Sequence, residues 1–145
     1  MQREIKFRGK RVDNDKWIAG VGVVTNGSRK HVIESRDYAR PSTALLFIAM
    51  EVIPETVGQY TGLQDKNGNK IYEGDILHRS LPVDRTRIVH FEMGGFAVKN
   101  IKAEDRLMHN SFPISNSDYW EIIGNIYENP DLLKGGTPNE KQIHH

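Results

Sequence analysis

The sequence contains no cysteine and carries almost no net charge. Without cysteine there is no disulfide framework, no thiolate metal site and no cysteine nucleophile, which is typical of an intracellular protein. A formal charge of +1 over 145 residues gives no strong field that would draw the protein to nucleic acid or to a charged membrane. Disulfide-rich secreted scaffolds and strongly basic nucleic-acid binders are therefore poor descriptions of this chain.

Long apolar runs are also missing. The longest one extends from Ala44 to Met50, well short of the roughly 20 residues that a membrane-spanning helix needs. The first ten residues, Met1 to Lys10, are charged and contain no apolar stretch of the kind found in signal peptides. We therefore expect a cytoplasmic protein with no membrane partner.

Recognisable catalytic motifs are absent as well. The chain has no G-x-S-x-G elbow, no G-x-x-x-x-G-K-[ST] loop and no G-x-G-x-x-G, so the common hydrolase and nucleotide-binding signatures do not apply. No histidines have the spacing of a zinc motif; the six are His31, His78, His90, His109, His144 and His145. These observations predict a protein that is not an enzyme, with no catalytic residues, no cofactor and no bound metal.

What the chain does contain is glycine-interrupted alternation of apolar and polar residues, the pattern of short β-strands. Ile5 and Phe7 alternate with charged residues and predict a first strand that ends at Gly9. The run Trp17–Val24 predicts a second strand, whose glycines indicate a bulge or a close backbone approach. Asn26-Gly27 then predicts a hairpin with a type I′ turn, because both central residues of that turn need positive φ.

Two more hairpins and a late strand are predicted further along the chain. Asn67-Gly68 separates the β-prone runs 57–63 and 70–77, and Glu92–Gly95 separates another pair of such runs. The run Tyr119–Tyr127 is the clearest strand near the end. The predicted fold class is mostly β.

Other segments have less regular patterns, from which helix, strand or loop is predicted residue by residue. Thr43 is a helix-capping residue type at the start of an apolar segment, but the β-branched and aromatic residues that follow favour a strand over 47–53. Residues 36–42 and 100–118 are polar and predicted to be loops. Asn129-Pro130 predicts a short helix that continues to Leu133, because Pro is favoured at the first helical position.

Five segments carry the most distinctive residue patterns of the chain: Arg3–Lys10, Pro54–Leu63, Asp65–Gly68, Ile71–Ile76 and Trp120–Pro130. Together, and in this order, they resemble the YopX family of phage and prophage proteins. The resemblance implies coiled, bifurcated antiparallel sheets, a second half similar to an SH3-like barrel, and a phage or prophage origin. It implies no reaction, cofactor or catalytic residue.

On this basis we expect three parts. An N-terminal β subdomain covers 1–62, an SH3-like β subdomain with a short C-terminal helix covers 63–133, and a flexible tail covers 134–145. The region 36–50 departs from the family pattern, because it is apolar where an acidic stretch is expected.

Two acidic groups invite a functional interpretation. Glu73 and Asp75 lie two apart on a predicted strand, so both carboxylates would share a face and reach one cation. We favour a structural role, in which Asp75 caps backbone N–H groups at a turn. The loop Asp65–Asn69 is similar to the start of a calcium loop, but Lys70 stands where an EF-hand requires glycine, so a hairpin turn is the better prediction.

Two functions are compatible with these features. The first is a non-catalytic interaction protein that self-associates or binds a phage or host protein through a β edge or an aromatic patch. The second is a nucleic-acid-binding β-barrel module, in which a basic N-terminal strand and an arginine-rich loop contact phosphates and exposed aromatics stack on bases. Its residues are Arg3, Lys6, Arg8, Lys10, Arg11, Arg79, Arg85 and Arg87. We favour the first function, because the net charge is near zero and aromatic residues are more often core than exposed.

Overall fold

The structure, a computed structural model, describes residues 3–36, 46–80, 84–100, 111–113 and 117–133. The described strands are β1 (Phe7–Lys10), β2 (Trp17–Gly20), β3 (Gly22–Asn26), β4 (Arg29–Arg36), β5 (Leu46–Val52), β6 (Gly58–Gln64), β7 (Lys70–Tyr72), β8 (Asp75–Arg79), β9 (Arg85–Glu92), β10 (Gly95–Asn100), β11 (Ser111–Pro113) and β12 (Glu121–Asn125). Single 3-10 turns occur at Pro54–Thr56, Ser117–Tyr119 and Pro130–Leu133. The mostly β fold is confirmed, and no helix among the described residues has the length and apolar character needed to cross a membrane.

The chain packs as two units, Met1–Tyr60 and Thr61–His145. In the first unit β1 pairs antiparallel with β2 and with the start of β6, and a second antiparallel sheet has the order β3-β4-β5. In the second unit the rest of β6 runs beside β7, and a five-stranded antiparallel sheet has the order β11-β10-β9-β8-β12. This sheet is open, with β11 and β12 at its edges, so the described strands do not confirm the SH3-like barrel that the resemblance implies.

A hydrophobic core in the second unit packs on the five-stranded sheet. Its buried members are Ile71, Leu77, Val89, Val98 and Trp120, with Leu63 and Ile122 packed against them. Leu77, Val89 and Val98 lie on one face of this sheet, because directly opposed residues and every second residue along a strand share a face. Residues of the opposite face are buried as well, among them Ile76 and Ala97.

The first strand does not end at Gly9 as predicted. Gly9 lies inside β1, opposite Ile18 of β2. A Cβ atom at this position would lie 2.9 Å from the side chain of Val52, so a glycine is needed for close packing and not for a turn. The local sequence gave no sign of this contact, because Val52 is distant in the chain.

The run Trp17–Val24 forms two strands in different sheets. It breaks at Val21, after Gly20 passes directly over β4. A Cβ atom at Gly20 would lie 2.1 Å from the carbonyl oxygen of Ile33, which confirms the predicted close backbone approach. The N–H of Val21 donates to that same oxygen at 2.8 Å.

The hairpin predicted at Asn26-Gly27 is present, but its turn begins one residue later. Asn26 pairs with Arg29, which leaves Gly27 and Ser28 as the two central residues. Gly27 has a φ of 62°, whereas Ser28 does not have positive φ. Glycine at the first central position is typical of a type II′ turn, so the predicted type I′ geometry is wrong.

The other two predicted hairpins are confirmed, but the run predicted over 70–77 divides at Glu73-Gly74 into β7 and β8, which lie in different sheets. β6 and β7 flank a turn over 65–69, and β9 and β10 pair around Met93-Gly94. The strand favoured over 47–53 is β5, and the late run contains β12. Each of these predictions depended on alternation or on a turn dipeptide within a short stretch of sequence.

Two predictions near the end of the chain need correction. Ser111–Pro113, inside the predicted loop 100–118, forms β11 and pairs with β10. The helix predicted from Asn129 is a single 3-10 turn, and the Oδ1 of Asn129 accepts a hydrogen bond from the N–H of Asn125 at 3.1 Å. In the loop predicted over 36–42, Arg36 is the last residue of β4, and 37–42 lie outside the described residues. The tail predicted over 134–145 also lies outside them.

The crossing of β2 over β4 predicts opposite effects for two nearby glycines. Gly20→Ala should lower the free energy of unfolding by about 3 kcal/mol or more, because the added methyl group meets backbone that cannot move aside. Gly22→Ala should change it by less than about 1 kcal/mol, since nothing lies within 4 Å of a Cβ there. Urea denaturation of both variants measures the difference. Equal midpoints would contradict the crossing geometry.

Candidate functional site

One face of the five-stranded sheet carries the residues of the candidate site. Residues directly opposite each other in an antiparallel pair share a face, as does every second residue along a strand. The pairs on this face are Leu77 with Arg87, Arg79 with Arg85, Val89 with Val98, and Phe91 with Phe96. The core occupies the middle of the face, which leaves an arginine-rich end and an apolar end.

At the first end, Arg79 of β8 and Arg85 of β9 stand directly opposite each other. We call these two residues the arginine pair. Directly opposed residues have Cβ atoms about 5 Å apart, and like charges at that distance are unfavourable. Arg85 is exposed and makes one long contact of 3.4 Å to the carbonyl oxygen of Asp84.

Arg79 is held in place by an aromatic ring. Its guanidinium carbon lies 4.9 Å from the centroid of the Trp120 ring, within the range of a cation–π interaction. Trp120 is only 4% exposed, so the guanidinium covers the outer side of the core. The Nε atom of Arg79 is buried without a hydrogen-bond partner.

The acid nearest to this pair in sequence has another partner. The Asp84 carboxylate lies 2.5 Å from Nε2 of His78. His78 alternates with Arg79 along β8 and therefore points to the opposite face of the sheet. The charge of Asp84 is thus directed towards a histidine and not towards the arginine pair.

The other end of the face is the tip of the β9–β10 hairpin. Phe91 is 54% exposed and its ring lies 5.3 Å from that of Phe96, nearly at a right angle. Met93 is 95% exposed and has a φ of 53°, followed by Gly94 at 81°, as a type I′ turn requires. We call Phe91, Met93 and Phe96 the tip patch. A methionine with positive φ is unusual, because Asn, Asp and Gly are the residues that adopt this conformation readily.

A buried carboxylate, Asp65, connects the turn between β6 and β7 to β12. Its Oδ1 accepts hydrogen bonds from the N–H groups of Asn67 and Asn69, both at 2.9 Å. Its Oδ2 accepts one from the N–H of Ile122 at 3.1 Å. Asp65 is only 4% exposed, so these three backbone donors replace the water that the carboxylate would otherwise bind.

These hydrogen bonds also set the protonation of Asp65. Burial alone would raise the pKa of Asp65, but the N–H groups of Ile122, Asn69 and Asn67 stabilise the carboxylate and hold the pKa below its ordinary value of 3.8. Sequence reasoning assigned this residue only to a turn. An aspartate two residues before Asn-Gly is a recognised turn-capping pattern, but its bond to a strand 57 residues away has no local signal.

Asp75 has the structural role that the sequence analysis favoured over a cation site shared with Glu73. This aspartate is 1% exposed, and its Oδ2 accepts a hydrogen bond from the N–H of Tyr72 at 2.8 Å. It therefore caps the turn between β7 and β8, as predicted. Glu73 lies in the turn itself, before β8 begins.

The predicted nucleic-acid residues fall into both units. Arg8 lies 4.5 Å from the centroid of the Trp17 ring, and Arg11 donates two hydrogen bonds to Asp13, at 2.9 and 2.6 Å, which hold the pKa of Asp13 below its ordinary value. The first unit contains Arg3, Lys6, Arg8, Lys10 and Arg11, and the second contains Arg79, Arg85 and Arg87. The predicted role of these residues in binding nucleic acid stays a prediction.

The aromatic residues divide between core and surface. Trp120, Tyr60 and Tyr72 are 4%, 6% and 8% exposed, whereas Phe91 and Tyr119 are 54% and 57% exposed. The sequence did not distinguish Phe91 from core residues, because it alternates with Val89 along the same predicted strand. Its exposure follows from its position at the end of the hairpin, beyond the core.

Open antiparallel sheets, with no α-helix among the described residues, place the protein in the class of small mostly β proteins. The chain belongs to the YopX family, whose model, described as YopX protein, matches residues 6–134. Its fold is similar to the crystal structure of protein EF1440 from Enterococcus faecalis, with a TM-score of 0.56, 22% sequence identity, and coverage of 90% of this chain and 98% of that one. That likeness concerns the fold alone, and no curated protein matches the chain.

The lowered pKa of Asp65 predicts how stability depends on pH. Its hydrogen bonds stabilise the fold fully above the pKa of the unfolded chain, and this stabilisation is lost as the pH falls through the lower pKa of the folded state. Asp65→Asn should therefore lower stability at neutral pH and flatten its decline in acid. Asp13→Asn should have a smaller effect that disappears in high salt, because its partner Arg11 is at the surface. Thermal melts across the acid range measure both, and parallel curves for wild type and Asp65→Asn would contradict the assignment.

Proposed function

We propose that this chain is a non-catalytic protein-interaction module, of phage or prophage origin, that self-associates through the tip patch. The observation that carries the proposal is the exposure of Met93, which is 95% accessible at the tip of a hairpin whose flanking Phe91 is also more than half exposed. Large apolar side chains grouped at one projecting position favour contact with another protein.

The conformation of Met93 supports a role beyond folding. Its φ of 53° costs on the order of 1 kcal/mol for a residue that is neither glycine nor asparagine. A better turn residue would stabilise the hairpin, so the methionine is not explained by the needs of the turn. Its flexible thioether suits a contact surface, because methionine adapts its shape to a partner.

The apolar character of the tip favours a second copy of the chain as the partner. In a two-fold symmetric dimer the same patch meets itself, and an apolar patch does so without the repulsion that a charged patch would suffer. Three side chains provide much less than the roughly 800 Å² per partner of a stable complex. We therefore expect a weak, reversible association that depends on protein concentration.

Nucleic-acid binding by the basic N-terminal strand has less support. Arg8 and Arg11 interact with Trp17 and Asp13 inside the chain, and Trp120, the aromatic ring beside Arg79, is buried. A base would have no exposed ring to stack on there.

The genes that neighbour this one test the proposed phage origin.

Met93→Asn separates the proposed contact from the needs of the fold. The Asn-Gly turn that it creates should stabilise the chain by about 1 kcal/mol, while loss of the apolar side chain should weaken self-association. Sedimentation velocity over a wide range of protein concentrations measures the second effect, and thermal unfolding measures the first.

Val24→Thr is the matched control. Val24 is 50% exposed on β3 in the first unit, so this variant should associate like the wild type. A wild-type chain that stays monomeric at every concentration would contradict the proposal, as would a Met93→Asn variant that associates as strongly as wild type.

A further inference from the structure

We propose that the arginine pair, Arg79 and Arg85, binds a phosphate group as a free dianion. This site goes beyond the proposed self-association, because it lies at the other end of β9 and uses charge instead of apolar contact. Two arginines stand directly opposite each other on one face, and among the described residues neither has a carboxylate partner.

Within the part of the chain that the structure describes, no neighbouring carboxylate relieves this concentration of positive charge. Asp84, the acid adjacent to Arg85, bonds to His78 on the opposite face. The undescribed residues between β8 and Asp84 are Leu81, Pro82 and Val83, which carry no charge. Like charges directly opposite each other destabilise an antiparallel strand pair. A bound anion would relieve this repulsion between the two guanidinium groups.

Arg79 is already positioned for such a ligand. The ring of Trp120 holds its guanidinium at 4.9 Å, so little side-chain freedom is lost on binding. The Nε atom is buried and has no acceptor, an unusual state for a strong donor. Arg85 on the neighbouring strand is exposed, and its one long hydrogen bond, to the carbonyl oxygen of Asp84 at 3.4 Å, is weak enough to be exchanged for a ligand.

The chemistry of the pair selects phosphate. Guanidinium groups present parallel N–H donors that match the oxygens of phosphate in a bidentate manner. Two such groups balance the charge of inorganic phosphate or of a phosphate monoester near neutral pH, which is about −1.5 to −2, better than the single charge of a phosphodiester. Trp120 is 4% exposed and covered by Arg79, so a nucleobase gains no stacking contact here.

Thermal unfolding of the full chain in inorganic phosphate, compared with sodium chloride of equal ionic strength, tests the proposal. The wild type should melt at a higher temperature in phosphate. Arg85→Gln should lose this phosphate-dependent shift and, without phosphate, melt no lower than wild type, because the repulsion is gone. Arg85→Lys should retain only part of the shift, since it keeps the charge but loses the fork.

Arg29→Gln is the control, because Arg29 is an arginine of the first unit whose side chain is 73% exposed and lies near Glu51. This variant should respond to phosphate like the wild type. Met93→Asn, measured in the same way, should keep the phosphate-dependent shift, because phosphate binding does not depend on self-association. A wild type without a phosphate-specific shift, or an Arg85→Gln variant that keeps the shift, would overturn the proposal.

A second arm distinguishes the source of the phosphate. Titration with a single-stranded DNA oligonucleotide should show no binding that depends on Arg85. If the oligonucleotide binds through Arg85 while inorganic phosphate has no effect, the free dianion is the wrong ligand and the arginine pair contacts a nucleic-acid backbone.

Discussion

The second unit depends on one buried carboxylate. Asp65 accepts backbone hydrogen bonds from two residues of its own turn and from Ile122, which fixes the turn between β6 and β7 against an edge strand from the far end of the sequence. A carboxylate at 4% exposure is tolerated only because three donors replace its water. Next to it, the N–H of Lys66 donates to the carbonyl of Trp120 at 2.9 Å, so the same junction positions the largest side chain of the core.

The candidate site follows from that junction. Trp120 closes the core, and Arg79 stacks on Trp120, so the place of the arginine pair is determined by packing beneath it. At the opposite end of β9 the core ends before the hairpin does, which leaves Phe91 and Met93 exposed. The packed core in the middle of the face thus separates two chemically different ends, one cationic and one apolar.

Sequence reasoning succeeded where the determinants are local. Asn67-Gly68 and the alternation around Met93-Gly94 identified hairpins because turn geometry is set by two or three neighbouring residues. It failed where a distant residue decides: Gly9 is a packing position because of Val52, the run 17–24 divides because Gly20 meets Ile33, and Asn129 bonds back to Asn125. The individual arginines of the candidate site were predicted. Three of its features were not: the position of Arg79 opposite Arg85, the tip patch, and the hydrogen bond from Ile122 to Asp65. All three depend on the register of strands that are distant in sequence.

Amide hydrogen exchange at Asn67, Asn69 and Ile122, followed by nuclear magnetic resonance, tests the role of Asp65 most directly. If one carboxylate holds all three donors, these amides should be protected in the wild type, and in Asp65→Asn they should lose protection together while the amide of Val89 in the core keeps it. Protection of Ile122 that survives in Asp65→Asn, while Asn67 and Asn69 exchange freely, would show that β12 is held by other contacts and would contradict the account.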